Sequence, residues 1–316
     1  MSKSFTYKNP IYSEAIDSIR DCQIVEDDGR YFLIGSCPPY WEGPSPGIKL
    51  YSSDDLLNWQ FERFLLKRED VAEDAWYRDR FWAPELHKIG DRYYLTFNCR
   101  NDQTGFPHSC GLAVADELLG PYTVLTHEQP LIEKGNDLTI FLDDNARTYI
   151  YWSGIWGQEV DLPTCTRLGE PTLCFAHEEG KWDAVGIEGP YVVKREGIYF
   201  MFYSSWTRGY EIGYATASAP LGPWQKFEGN PFFGAQDPGN NAERSMAFTG
   251  DPNSPYVGVG HNAVFTGPDG GDWLVCHYQE KDREESLGFD PIRIEGGLVK
   301  SNGPSYVEQI VDCADA

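Results

Sequence analysis

Five times in this 316-residue chain an acidic or histidine side chain stands about ten residues ahead of an aromatic that opens a short apolar run. The pairs are Asp21 before Tyr31, Glu85 before Tyr93, Asp137 before Tyr149, Glu188 before Tyr199 and His261 before Trp273. Gly29-Arg-Tyr-Phe-Leu-Ile-Gly-Ser36 and Gly90-Asp-Arg-Tyr-Tyr-Leu-Thr-Phe97 typify the runs, each reading as a turn followed by a strand. Such self-similarity marks one structural position repeated five times.

A second echo follows three of these strands: Leu50-Tyr-Ser-Ser-Asp54, Ala113-Val-Ala-Asp116 and Ala215-Thr-Ala-Ser218, each shortly before Asn-Trp, Gly-Pro-Tyr or Gly-Pro-Trp. Repeats of several short strands suit propeller blades better than solenoid turns. The expectation is an all-β, five-bladed β-propeller, with residues 1–316 forming a single domain. In a propeller the first strand of every blade lines a central channel, so Asp21, Glu85, Asp137, Glu188 and His261 should converge. Gathering carboxylates there is costly, because like charges and desolvation both oppose ionisation. Chemistry is the return for such a cost.

Composition agrees with one large β domain, at 41% hydrophobic and 15% aromatic residues with no linker or charge block. The formal net charge of -23 argues against nucleic acid and anionic membrane as partners and leaves a neutral substrate. Neither a leader-like apolar stretch near Met1 nor a run of membrane-spanning length occurs, so the chain as written is expected in the cytoplasm. Eight cysteines without a close pair read as free buried thiols.

Four ordered segments, Trp82-Ala-Pro-Glu-Leu-His87, Asp137-Leu-Thr-Ile-Phe-Leu-Asp-Asp-Asn, Glu188-Gly-Pro-Tyr-Val-Val-Lys-Arg and Gly260-His-Asn-Ala-Val-Phe265, resemble the blade motifs of glycoside hydrolase family 43. The resemblance runs from about Asp21 to Arg293. It implies an inverting glycosidase acting on α-L-arabinofuranosides or β-xylosides, with neutral oligosaccharides as substrates and no required cofactor. Asp21 matches the general base, Glu188 the general acid, and Asp137 the third carboxylate that keeps the acid protonated and oriented. An inverting pair stands about 6.5 to 9.5 Å apart to admit water, against about 5 to 5.5 Å in a retaining pair. The family's proline after the first and third-blade aspartates is replaced here by Cys22 and Leu138, a change that bears on the local turn.

Among the remaining residues, Glu85 is divided between channel wall and substrate contact. His261 reads as structural or water-mediated, with a structural calcium in the central channel as the ion that the resemblance allows. Arg293 matches a late-blade arginine facing a sugar hydroxyl or catalytic carboxylate, against a surface salt bridge. Trp41, Trp82 and Trp206, with Trp76, Tyr77, Trp156 and Tyr210, offer flat faces to sugar C–H groups, or else fill gaps between blades. Asp27-Asp28 and Asp143-Asp144 read as hairpin residues beside Gly29 and Asn145. The segment from Gly234 to Pro255 reads as a long loop covering one side of the pocket. Together these readings describe an exo-acting glycosidase; a β-galactosidase and a silent carbohydrate-binding propeller are the competing readings.

Overall fold

The computed structural model describes residues 4–314. Strand β1 (Ser4–Tyr7) pairs antiparallel with the last strand, β23 (Gln309–Asp312). Between them lie five antiparallel sheets, each built from consecutive strands. Blade 1 holds β2 (Arg20–Asp27), β3 (Arg30–Ser36), β4 (Gly47–Ser53) and β5 (Gln60–Lys67). Blade 2 holds β6 (Asp79–Ile89), β7 (Arg92–Asn101), β8 (Phe106–Ala115) and the short β9 (Thr123–Val124). Blade 3 holds β10 (Thr139–Leu142), β11 (Thr148–Trp152), β12 (Trp156–Asp161) and β13 (Thr166–Leu173). Blade 4 holds β14 (Glu188–Arg195), β15 (Ile198–Ser205), β16 (Gly209–Ala217) and β17 (Gln225–Lys226), with β18 (Phe233–Gln236) also on β16. Blade 5 holds β19 (Tyr256–Thr266), β20 (Asp272–Glu280), β21 (Ser286–Glu295) and β22 (Leu298–Ser301). The fold is the expected five-bladed β-propeller.

The repeated aromatic runs are the second strands, and they are apolar on both faces because a blade is packed on both sides. Leu33, Phe97, Tyr151, Phe202 and Val275 are all fully buried or nearly so. The five apolar clusters each bridge two neighbouring blades, and the one between blades 5 and 1 draws in Tyr7 and Ile11 from the N-terminal segment. Ile11 N–H donates to Leu287 O at 2.7 Å and Tyr7 O–H to Asp290 at 2.8 Å, so this segment ties the last blade to the first.

The hairpin acids do more than turn the chain. Asp27 Oδ1 accepts from Lys88 Nζ and Tyr93 O–H of blade 2, each at 2.7 Å. Asp143 Oδ1 accepts in the same way from Lys194 Nζ at 3.0 Å and Tyr199 O–H at 2.7 Å of blade 4. The aromatic that opens a run therefore serves as a latch to the preceding blade. No described helix is long and apolar enough to cross a membrane, and all eight cysteines are free.

Candidate active site

In four blades the innermost strand carries the same bulge. Arg20 pairs with Ser36 and Gln23 with Ile34, so Asp21 and Cys22 together face a single residue of β3. Ala83-Pro84, Gly189-Pro190 and His261-Asn262 repeat the pattern in blades 2, 4 and 5. The first bulged residue is left-handed each time: φ is 54° at Asp21, 41° at Ala83, 58° at Gly189 and 53° at His261, and Asp137 of blade 3 matches at 53°. This conformation is disfavoured for residues with a Cβ and is kept where the surrounding structure dictates it. A bulge re-aims a side chain, and the bulged Asp21 and His261 line one pocket together with Asp137, whose left-handed turn lies just ahead of β10.

The five positions read from the sequence are thus not one position. Asp21 and His261 share the bulge, and Asp137, just ahead of β10, shares its left-handed backbone; Glu188 stands one residue ahead of the bulge, opposite Ser204, and Glu85 two residues beyond Ala83, opposite Thr96. Cys22 and Leu138 stand where blades 2 and 4 have Pro84 and Pro190, and the left-handed turn is kept without the proline.

The second strands fix these bulges across blade boundaries. Ala83 N–H donates to Ser36 Oγ at 2.7 Å and His261 N–H to Ser204 Oγ at 2.9 Å. Asp21 N–H donates to His277 Nδ1 at 3.2 Å, and Gly189 N–H to Asp137 Oδ2 at 3.1 Å. Asp137 also accepts from Ser153 Oγ at 2.6 Å and from Asn98 Nδ2 at 3.1 Å. Each blade thereby holds the inner strand of a neighbour at the site.

Arg20, Asp21, Ser36, Tyr40, Trp41, Trp82, Asn136, Asp137, Glu188 and His261 enclose a pocket of about 110 Å³. Its charges are graded. Burial opposes ionisation of Asp21, but His261, Arg20 and the Ser36 hydroxyl hold its carboxyl below the usual range. His261 Nδ1 lies 3.1 Å from Asp21 Oδ1, and although burial disfavours its cation, Asp21, Asp137 and Glu188 raise its pKa. Burial and then the Asp137 charge push Glu188 up to about 7, and burial, reinforced by Asp21, raises Asp137. Tyr210 O–H donates to Glu188 Oε1, and its ring stacks on His277 at 5.0 Å between centroids. Burial and Arg20 keep His277 neutral, consistent with its Nδ1 accepting the Asp21 amide. A Cβ on Gly260 would lie 2.3 Å from the Tyr210 ring, so only glycine leaves room for it. One carboxyl held ionised beside another held protonated is the arrangement that general acid–base hydrolysis requires.

Other expected contacts fall elsewhere. Arg293 lies on the outer half of blade 5, 73% exposed, with Glu295 at 3.6 Å; it is a surface residue and does not face the pocket. Glu85 is buried in the channel wall, accepting from Thr139 Oγ1 at 2.6 Å beside His87, and does not line the pocket. Trp206 is 39% exposed, packs where a Cβ on Gly186 would touch its ring, and is not part of the pocket lining. Trp76 and Tyr77 pack against Phe97 between blades, and Trp156 borders a separate groove of about 650 Å³. The Gly234–Pro255 segment contains the end of β18 and a short helix, α1 (Pro238–Glu243), and contributes no residue to the pocket lining. Arg20, Ser36, Tyr40, Asn136 and His277 are the site residues that sequence reading did not assign, and Tyr210, expected as a sugar platform, instead donates to Glu188. The signal for Ser36 and His277 was the second-strand end, where they occupy positions matching Asn98 and Ser204.

Among the described residues, the group within reach of a common ion is Asp137, Glu188 and His261. Calcium takes six to eight oxygen ligands, whereas this set has an imidazole and an aspartate whose two oxygens already accept three hydrogen bonds. These side chains alone do not fit a calcium cage.

The sequence profile of glycosyl hydrolases family 43 matches residues 7–293. An Aspergillus niger protein named beta-D-galactofuranosidase is 29% identical over 72% of this chain, which spans 64% of that relative's length. A Streptomyces chartreusis extracellular exo-alpha-(1->5)-L-arabinofuranosidase is 27% identical over 87% of this chain and 83% of its own. Among solved structures, a thermostable family-43 glycoside hydrolase superposes with a TM-score of 0.79 at 26% identity, covering 98% of this chain and 100% of the other.

Proposed function

The chain belongs to glycosyl hydrolases family 43 and is a glycoside hydrolase, and on that premise we propose that it releases single terminal α-L-arabinofuranosyl or β-xylosyl residues from neutral oligosaccharides. Glu188 donates its proton to the glycosidic oxygen as the C–O bond breaks. Asp21 takes a proton from the water whose oxygen bonds to the anomeric carbon on the opposite face, which inverts the configuration. Loss of the proton from Asp21 and regain of one by Glu188 reset the site. Burial, reinforced by the Asp137 carboxylate, keeps Glu188 protonated, and Asp137 also accepts the Gly189 N–H of the neighbouring blade.

The observation carrying this reading is the opposed state of Asp21, held ionised, and Glu188, raised to about 7, around one small pocket. At about 110 Å³ that pocket is well below the roughly 300–1,000 Å³ of sites for drug-sized ligands, which favours one sugar residue over a chain. A galactoside is the second reading, favoured by the Aspergillus niger relative named beta-D-galactofuranosidase.

A panel of 4-nitrophenyl α-L-arabinofuranoside, β-D-xylopyranoside, β-D-galactopyranoside and β-D-galactofuranoside separates these. Turnover of the first or second supports the proposal, and turnover of a galactoside alone replaces its sugar. Binding of oligosaccharides without turnover of any would leave a carbohydrate-binding propeller instead.

A further inference from the structure

The pocket contains a guanidinium that no carried-over role explains. Arg20 precedes Asp21, lines the pocket and is 17% exposed through its side chain. Its hydrogen-bond acceptor among the described residues is Glu285, reached through Nη1. Glu285 is itself buried and fixed to blade 1, its carbonyl accepting from Ile19 N–H at 3.1 Å and Ser18 Oγ at 2.9 Å. The guanidinium carbon lies 5.2 Å from the Trp41 ring and 5.8 Å from the Tyr40 ring. An anchored, stacked arginine has lost most of its freedom before any ligand arrives, so binding it costs little further entropy.

Arginine carries five N–H donors. None of the Arg20 nitrogens is both buried and without a partner, Glu285 takes Nη1, and the side chain lines the pocket, which leaves the other N–H groups available to a ligand there. Asp21 and Asp137 offer acceptors, and the Glu188 proton is committed to the glycosidic oxygen, whereas a bound sugar also presents hydroxyl oxygens that need donors. With Arg293 on the surface, Arg20 is the arginine at hand.

We propose that Arg20, anchored by Glu285, is the specificity-determining residue of the pocket, donating through its unused N–H groups to hydroxyl oxygens of the sugar whose bond is cleaved. The fork geometry suits two neighbouring hydroxyls, and the compensating carboxylate of Glu285 suits a neutral ring rather than a uronate. The inference rests on the glycosidase reading above.

The test pairs enzyme and substrate deletions. kcat/KM is measured for wild type and Arg20→Lys on the aryl glycoside that wild type hydrolyses and on its monodeoxy analogues. Arg20→Lys should lose about 10- to 100-fold on the parent glycoside, as expected for removing hydrogen bonds from a charged donor. On one or two deoxy analogues it should lose almost nothing, because the bond is already absent. Glu285→Gln, which keeps the shape and frees the guanidinium, should lose about 10-fold at the same hydroxyls and serves if the lysine variant does not fold. Equal losses on every analogue would overturn the assignment, since a merely structural arginine cannot tell hydroxyls apart. Wild type inactive on every aryl glycoside would instead sink the glycosidase reading beneath it.

Discussion

Nδ1 of His261 lies 3.1 Å from Oδ1 of Asp21, and the two residues occupy the same left-handed bulge position in adjoining blades 5 and 1. The ring closure of the propeller therefore sets an imidazole with a raised pKa beside the proposed base. Burial works against both ions, yet each holds the other charged: Asp21 is held below and His261 above its ordinary range. The His261 charge also opposes the rise of Glu188.

His261→Gln should therefore move both limbs of the pH profile to higher pH. The low-pH limb follows ionisation of Asp21, whose pKa rises once the cation is gone. The high-pH limb follows loss of the Glu188 proton, which is held more tightly for the same reason. A profile of kcat/KM against pH that stays in place would show that His261 is neutral beside Asp21.

Much of this was legible in the sequence because it is local. A turn followed by an aromatic and an apolar run is complete within ten residues, so Tyr31, Tyr93, Tyr149, Tyr199 and Trp273 marked their strands correctly. The bulge is different, since an extra residue on β2 or β14 is defined only against a partner strand, and counting back from the aromatic placed Glu85 and Glu188 in register with Asp21 when they are not. Asp27 and Asp143 looked like turn residues for the same reason, their latch partners lying in the next blade. Arg293 shows the limit of motif matching: the segment fits, but its side chain leaves blade 5 on the solvent side. Arg293→Ala should leave kcat/KM within about 2-fold, as surface pairs contribute little, and a larger loss would return it to the site.

The proposed acid and base separate by leaving group. Glu188→Ala should lose about 10²- to 10⁴-fold on oligosaccharides, whose leaving oxygen needs the proton, and much less on 4-nitrophenyl glycosides. Asp21→Ala should suppress both, because water must be activated whatever departs. Comparable losses for Glu188→Ala on the two substrate types would remove it from the role of acid.

Tyr210 bears on which oxygen of Glu188 carries the proton. Its hydroxyl donates to Oε1, so the transferable proton is left to Oε2, and its ring is held by His277 stacking and the space at Gly260. Tyr210→Phe removes a bond that favours the carboxylate, so the high-pH limb should move up while kcat on oligosaccharides falls about ten-fold. Loss of activity with an unmoved limb would make Tyr210 packing alone.

The raised pKa of Glu188 has a cost in stability that substitution should reveal. Its folded value of about 7 lies above its ordinary 4.5, so the native state keeps a proton that the unfolded chain has released. Stability contributed by that proton is complete below about pH 4.5 and is lost as pH rises toward 7. Glutamine cannot ionise, keeps the shape and still accepts from Tyr210, so Glu188→Gln avoids the loss. Urea unfolding should find it more stable than wild type by on the order of 2–3 kcal/mol at pH 8 and nearly equal at pH 4. The pH dependence of the difference is what identifies the cause, since a packing effect would be the same at both. No gain at pH 8 would mean that Glu188 ionises in the folded state as easily as in water, which would remove the physical basis for its role as acid.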